Sequence, residues 1–210
     1  METVWGSPEA HDRLSLSELW QSLYLHFREF LSPPLNGAVL DIECGTGRLS
    51  LMFGSSASSV VGVDTSLEFL ARAERNRQEA GCAHVSFHAA SVESLPFPDA
   101  TFDVVTSFSL LCLMPEPARA LAEIVRVLRK GGVFGGVLIS QRMTSDRIAE
   151  FVALHRLPNE VGEALLLFQR QCAGGYSERA LERLLLNAGL RTMRTIEQAD
   201  GLMLLVKAWR

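Results

Sequence analysis

Short apolar runs and longer stretches of helical periodicity take turns along most of this chain. Val39-Leu40-Asp41-Ile42, Val60-Val61-Gly62-Val63 and Phe102-Asp103-Val104-Val105-Thr106-Ser107-Phe108 read as buried strands, and the segments after the first two repeat apolar residues at helical spacing. The pattern predicts strand 38–42, helix 46–54, strand 59–63, helix 66–80, strands 84–88 and 102–108, helix 117–129 and strand 133–139. Thr65-x-x-Glu68 has the form of a helix cap, and Gly81 ends that helix. Pro117 near the first turn and Gly131-Gly132 at the end bound the next one. Apolar strands alternating with helices imply a doubly wound, mostly parallel α/β sheet. Right-handed crossovers then line up the loops after the strands along one edge, where ligands bind.

The two ends of the chain depart from this rhythm. Trp5, Gly6 and Pro8 mark residues 1–14 as irregular. Ser15-Leu16-Ser17-Glu18 reads as a capping box, followed by apolar residues at helical spacing from Leu19 to Leu31. Ser32-Pro33-Pro34-Leu35-Asn36-Gly37 stops that helix. This N-terminal segment, residues 1–35, packs on the sheet edge or forms part of a lid. Residues 141–175 carry two further helices, 145–157 and 160–171, parted by Leu157-Pro158-Asn159 and followed by Gly174-Gly175. Such an insertion at the ligand edge is placed to cap a substrate. Its Leu165, Leu166, Leu167 and Phe168 are either core or the wall of an apolar pocket. Ser177 caps helix 178–188, and Gly189 ends it. Strands 191–198 and 202–209, joined by Ala199-Asp200-Gly201, form an antiparallel hairpin. With these the sheet has seven strands, and residues 1–210 read as a single domain.

Composition narrows the function. The chain has 210 residues, 48% apolar and 21% charged, enough for a large core, and a net charge of −4 that gives no sign of a nucleic-acid partner. Its four cysteines, Cys44, Cys82, Cys112 and Cys172, form no C-x-x-C, so reduced thiols, no metal and a cytoplasmic location are expected. No run approaches a membrane span, and no signal peptide is evident. Oligomeric state is not legible.

The chemistry concentrates in Asp41-Ile42-Glu43-Cys44-Gly45-Thr46-Gly47, where a strand ends in an acid, turns on two glycines and enters a helix. Such a turn can bring backbone N–H groups and a helix N-terminus to a ligand. Asp64 ends the next strand seventeen residues after Gly47, near the spacing at which a carboxylate meets a ribose diol. A dinucleotide fingerprint would need glycine where Ser50 stands. The turn instead resembles the D-x-G-x-G-x-G loop of class I S-adenosylmethionine (SAM) dependent methyltransferases, with Glu43 in place of the first glycine. Leu95-Pro96-Phe97-Pro98-Asp99-Ala100-Thr101-Phe102-Asp103-Val104-Val105 and Arg126-Val127-Leu128-Arg129-Lys130-Gly131-Gly132 resemble segments of the family's small-molecule, quinone-biosynthesis-like branch. The likeness covers about residues 38–140 closely.

The resemblance implies SAM as cofactor, S-adenosylhomocysteine (SAH) as product and a small-molecule acceptor. It assigns Asp64 to the ribose hydroxyls, with helix capping as the plain alternative. Thr65 follows it at the cofactor edge. Gly45 and Gly47 let the backbone approach the cofactor. Asp41 holds the loop or reaches the cofactor ammonium through water. Ser91 stands where relatives carry an acid facing the adenine, with the Val92 N–H as a second contact. Ser107 lines the methionine end. Glu43 repels the cofactor carboxylate, helps its ammonium, or turns out to Arg48. For a general base, His11, beside Asp12, is the candidate, ahead of Tyr24, His26, His155 and Tyr176. Two readings follow: methyl transfer to a small molecule by in-line displacement, or a SAM/SAH-binding or degenerate fold without transferase activity.

Overall fold

A computed structural model describes residues 6–32, 37–114, 116–172 and 175–210. Trp5, the Pro33-Pro34-Leu35-Asn36 part of the expected helix stop, and Gly174 lie outside the described residues. The seven strands form one sheet in the order β3-β2-β1-β4-β5-β7-β6. β1 (Ala38–Ile42) runs parallel to β2 (Ser59–Asp64) on one side and to β4 (Phe102–Phe108) on the other. β3 (Val85–Ala89) extends the sheet beyond β2, and β5 (Leu128–Ile139) beyond β4. β7 (Met203–Trp209) lies antiparallel to both β5 and β6 (Arg191–Gln198), as the hairpin signal predicts. After β3 the chain crosses back over β1 to lay down β4. The strand order therefore reverses between β1 and β4, and a crevice opens beyond their C-terminal ends.

Helices cover the sheet. α1 (Pro8–Ser15) and α2 (Glu18–Leu31) precede it, α3 (Arg48–Gly54) follows β1, α4 (Leu67–Ala80) follows β2, and α5 (Leu110–Leu113) and α6 (Ala118–Val127) follow β4. α7 (Ser145–Leu154) and α8 (Asn159–Gln171) fill the insertion, and α9 (Glu178–Asn187) precedes the hairpin. α2 buries Trp20, Leu23, Tyr24, Phe27 and Leu31 along one face. Gly135 of β5 makes room for Leu31, since a Cβ there would sit 2.4 Å from Leu31 Cδ2. Each fully buried ring or branched side chain of this kind is worth about 1.5–3 kcal/mol. Leu165 and Phe168 of α8 are core residues, while Leu167 is exposed.

Four local expectations are corrected. Residues 8–14 are helical, because proline at a first helical position loses no hydrogen bond, and Ser7 caps the helix by accepting from the Ala10 N–H at 3.2 Å. Ser15 therefore ends α1 and opens no capping box; its Oγ accepts a hydrogen bond from Tyr24 Oη at 3.3 Å. Ser66, not Thr65, caps α4, accepting from the Phe69 N–H. Gly131-Gly132 does not stop a helix: α6 ends at Val127, and the pair lies within β5. There the register against β4 shifts between Phe102 and Val104, and Gly131 takes a φ of 77°, so the glycines serve an irregularity in the strand.

Candidate functional site

Ile42 ends β1, and the five residues after it turn into α3 through an alternating backbone. Glu43 has a φ of 53°, Gly45 of 55° and Gly47 of 76°, all left-handed. Glycine adopts this region freely, whereas a residue with a Cβ is strained there by roughly 1–2 kcal/mol. The two glycines are also held by space. A Cβ on Gly45 would lie 2.8 Å from His11 Cε1, and one on Gly47 would lie 2.4 Å from Phe87 Cζ. The loop spends several of its amides internally. The Cys44 N–H donates to Val63 O at 3.0 Å, the Gly47 N–H to Cys44 O at 2.9 Å, and the Gly45 N–H to Asp64 Oδ2 at 2.9 Å. The expectation of backbone donors turned toward a ligand is therefore not met by these three amides, because closing the turn uses them.

Three carboxylates surround the turn, each in a different state. Asp41 sits beside Thr106 across the β1–β4 register and is fully buried. It accepts from Ser50 Oγ at 2.5 Å and Thr106 Oγ1 at 3.0 Å, tying β1 to α3 and β4. Burial outweighs these bonds and pushes its pKa up to about 6. Asp64 clamps the turn: Oδ2 accepts from Gly45, and Oδ1 accepts from the Ser66 N–H at 2.8 Å. Burial raises its pKa, and the amide bonds oppose that rise. Glu43 has no hydrogen bond or ion pair among the described residues. Burial, and then the charge of Asp64, push its pKa up to about 7. It does not turn out to Arg48, whose Nε and Nη2 bind Asp12 at 2.8 Å each.

A cavity of about 620 Å³ opens at the reversal of strand order, within the ~300–1,000 Å³ common for small-molecule sites. Asp41, Glu43, Gly45, Asp64 and Thr65 all line it, brought together from the ends of β1 and β2. Trp20, Tyr24, Phe69 and Phe108 supply aromatic walls, and Gln171 reaches it from the end of α8. No lysine or arginine is among its described lining residues. Gly47, Ser91, Val92 and Ser107 stand outside the lining. Gly47 faces Phe87, Ser91 is exposed, Val92 is core, and Ser107 is buried. The Ser107 hydroxyl, like that of Ser109, has no hydrogen-bond partner among the described residues, though the chain between them carries the lining residue Phe108.

His11 also lines the cavity. Its Nδ1 lies 3.1 Å from Thr46 Oγ1, and its ring meets Phe69 edge-on at 5.3 Å. Burial lowers its pKa to about 4, so it is neutral at pH 7 and holds a proton weakly. Asp12 fastens this helix down. Burial pushes its pKa up, but hydrogen bonds from Arg48, Arg72 and Asn76 outweigh that and hold it well below the usual carboxylate range. This four-residue knot of α1, α3 and α4 escaped the sequence reading; the one-turn spacing of Arg72 and Asn76 on α4 is its only local signal. Among the other base candidates, Tyr24 lines the cavity, but burial raises its pKa further above neutrality. His26 pairs with Gln198, His155 with Asp200, and Tyr176 donates to Leu111 O, all away from the lining. Among the described residues, no group of three or more His, Cys, Asp or Glu is placed to hold a metal ion, and no helix is long and apolar enough to cross a membrane.

Residues 40–135 match the methyltransferase domain family. A phosphatidylethanolamine N-methyltransferase from Cereibacter sphaeroides is 39% identical over 130 residues, which are 60% of this chain and 62% of that protein. A demethylmenaquinone methyltransferase from Renibacterium salmoninarum is 38% identical over 94 residues, 45% of this chain and 38% of that protein. The chain thus spans less than two thirds of the length of these relatives. A solved SAM-dependent methyltransferase from Aquifex aeolicus superposes with a TM-score of 0.65 at 21% identity, covering 94% of this chain and 92% of that one, which shows a shared fold.

Proposed function

We propose that this chain is a class I SAM-dependent methyltransferase that binds SAM in the crevice beyond β1 and β4 and methylates a small-molecule acceptor; the match of residues 40–135 to the methyltransferase domain family supports this reading. The observation that carries this is the cavity itself. It lies at the reversal of strand order and brings an unpaired carboxylate, two anchored ones and four aromatic rings to one space, without a lysine or arginine in its described lining. Such a lining suits a sulfonium and an ammonium, which carboxylates and aromatic faces attract.

When bound, SAM supplies an activated methyl that an acceptor takes by in-line displacement, leaving SAH. The protein's part is to hold and align. The Asp64 oxygens already accept backbone N–H groups of Gly45 and Ser66 and keep lone pairs for a ribose diol. Asp41 fixes the loop from beneath through Ser50 and Thr106. The buried Ser107 hydroxyl belongs to the residue just before the lining residue Phe108 on β4. Thr65 sits beside Asp64 at the rim, Gly45 keeps the loop close against His11, and Gly47 closes the turn. Ser91 and Val92, outside the lining, have no role in this reading. His11, neutral and packed on Gly45, shapes the wall rather than taking a proton at pH 7. The α7–α8 insertion limits the acceptor side through Gln171.

The strained, unpaired Glu43 favours a second reading, a fold that binds SAM or SAH without transferring methyl. Calorimetric titration with SAM and SAH, followed by assay of SAH release with small amines, phenols and quinols, separates the two. Saturable binding with SAH release supports the enzyme. Binding without release on any acceptor supports the second reading. No binding of either nucleoside by the native protein or by Glu43→Gly overturns both.

A further inference from the structure

Glu43 occupies a backbone position suited to glycine and lines the cavity, and its carboxyl has no hydrogen bond or ion pair among the described residues. Its two acidic neighbours differ from it in this respect. Asp41 is held by Ser50 and Thr106, and Asp64 by backbone amides of Gly45 and Ser66. No lysine or arginine in the described lining offsets the three. The charge on Glu43 is therefore the one most free to follow the charge of whatever occupies the cavity.

We propose that Glu43 makes the site discriminate by charge, favouring the cationic sulfonium cofactor over its neutral thioether product. This rests on the reading of the cavity as the SAM site. SAM and SAH share their ammonium, carboxylate and nucleoside; they differ by one methyl and one positive charge. An ionised Glu43 attracts that charge, and a protonated Glu43 does not. The preference for sulfonium over thioether then rises with pH. The device limits product inhibition, since the ligand that has lost its methyl has also lost its attraction to this carboxylate.

The titratable groups that line the cavity together with Glu43 bear on the pH range. Asp41 comes from β1 and Asp64 from the end of β2; Cys44 follows Glu43 in the loop; His11 comes from α1 and Tyr24 from α2. Burial holds Cys44 and Tyr24 as neutral acids well above pH 8 and His11 neutral above about 4. The cavity's lining from α5 and α8, Leu110, Leu113 and Gln171, is uncharged. Between pH 6 and 8, Glu43 changes charge, with its pKa raised to about 7, alongside the upper half of the Asp41 titration at about 6. A unit charge held roughly 10 Å away in a protein-like medium moves an ionisation by about one pKa unit, a factor of ten in relative affinity.

The test is calorimetric titration of native protein, Glu43→Gln and Glu43→Gly with SAM and with SAH at pH 6 and pH 8, with circular dichroism confirming that each variant is folded. Glutamine keeps the size without the charge, and Asp41 and Asp64 remain in both variants. The expected result is a SAM-over-SAH preference that grows about fivefold from pH 6 to 8 in the native protein, the part of the tenfold that this interval spans, and by much less in both variants. An equal growth in native and variant proteins assigns the effect to Asp41 or Asp64 and overturns the proposal while leaving the cofactor site standing. A preference that does not change with pH overturns it as well. Failure of all three proteins to bind either ligand overturns the cofactor reading and this inference with it.

Discussion

At the scale of single residues, Glu43 carries two separable costs, backbone strain and a buried charge. Glu43→Gly removes both and is expected to stabilise the protein by about 1 kcal/mol from strain relief, a rise of about 2–4 °C in melting temperature by calorimetry. Glu43→Gln leaves the strain and removes the charge. The folded pKa of Glu43, about 7, lies above its ordinary 4.5, so the native protein loses stability as pH rises through this interval. The advantage of Glu43→Gln over native protein should therefore be absent below about pH 4.5 and should grow to its full size by about pH 7 and above. Melting curves across that range check it, and a constant difference would contradict the buried charge. Gly47 is the opposite case. A Cβ there meets Phe87 at 2.4 Å at a φ of 76°, so Gly47→Ala should destabilise by about 2 kcal/mol or more, read from urea unfolding.

At the scale of elements, the first helix is fastened by chemistry that local patterns do not display. Asp12 is buried and bound by Arg48, Arg72 and Asn76, whose two arginines keep 21% and 26% of their side chains exposed. Because those arginines reach water once released, Asp12→Ala should cost about 2 kcal/mol, less than the ~3–5 of a fully buried pair. Asp12 titrates well below the usual carboxylate range, so its contribution is present above about pH 4 and fades as pH falls below it. The cost of Asp12→Ala should thus shrink in acid, the reverse of the Glu43 case, which chemical denaturation at pH 3.5 and pH 7 resolves. Since His11 precedes Asp12 and packs on Gly45, loosening α1 also opens the cavity wall. The corrected elements have the same origin. Pro8 and Gly131-Gly132 are punctuation whose meaning depends on neighbours: proline starts a helix as readily as it breaks one, and a glycine pair serves a strand irregularity as well as a helix end.

For the molecule as a whole, the sheet order places a cavity where three acidic side chains meet, and filling it should stabilise the entire fold. SAM at a hundredfold excess over its dissociation constant adds about 2.7 kcal/mol, a rise of about 5–10 °C in melting temperature, and SAH should add less at pH 8 than at pH 6 relative to SAM. A thermal shift series checks this, and no shift with either ligand would count against the cofactor site. By itself the sequence determined the strands, most of the helices, the terminal hairpin and the mostly parallel character of the sheet, because apolar periodicity and turn residues act over a few positions and strands joined through helices run parallel. It also located Asp41, Asp64 and the glycine turn, whose spacing is local. Only the tertiary structure decided that Gly47 faces Phe87, that Ser91, Val92 and Ser107 stand outside the cavity lining, that Arg48 serves Asp12, and that Glu43 is left without a partner among the described residues. Those outcomes depend on which groups burial brings together from distant segments, and on whether each finds a hydrogen-bond partner when water is removed.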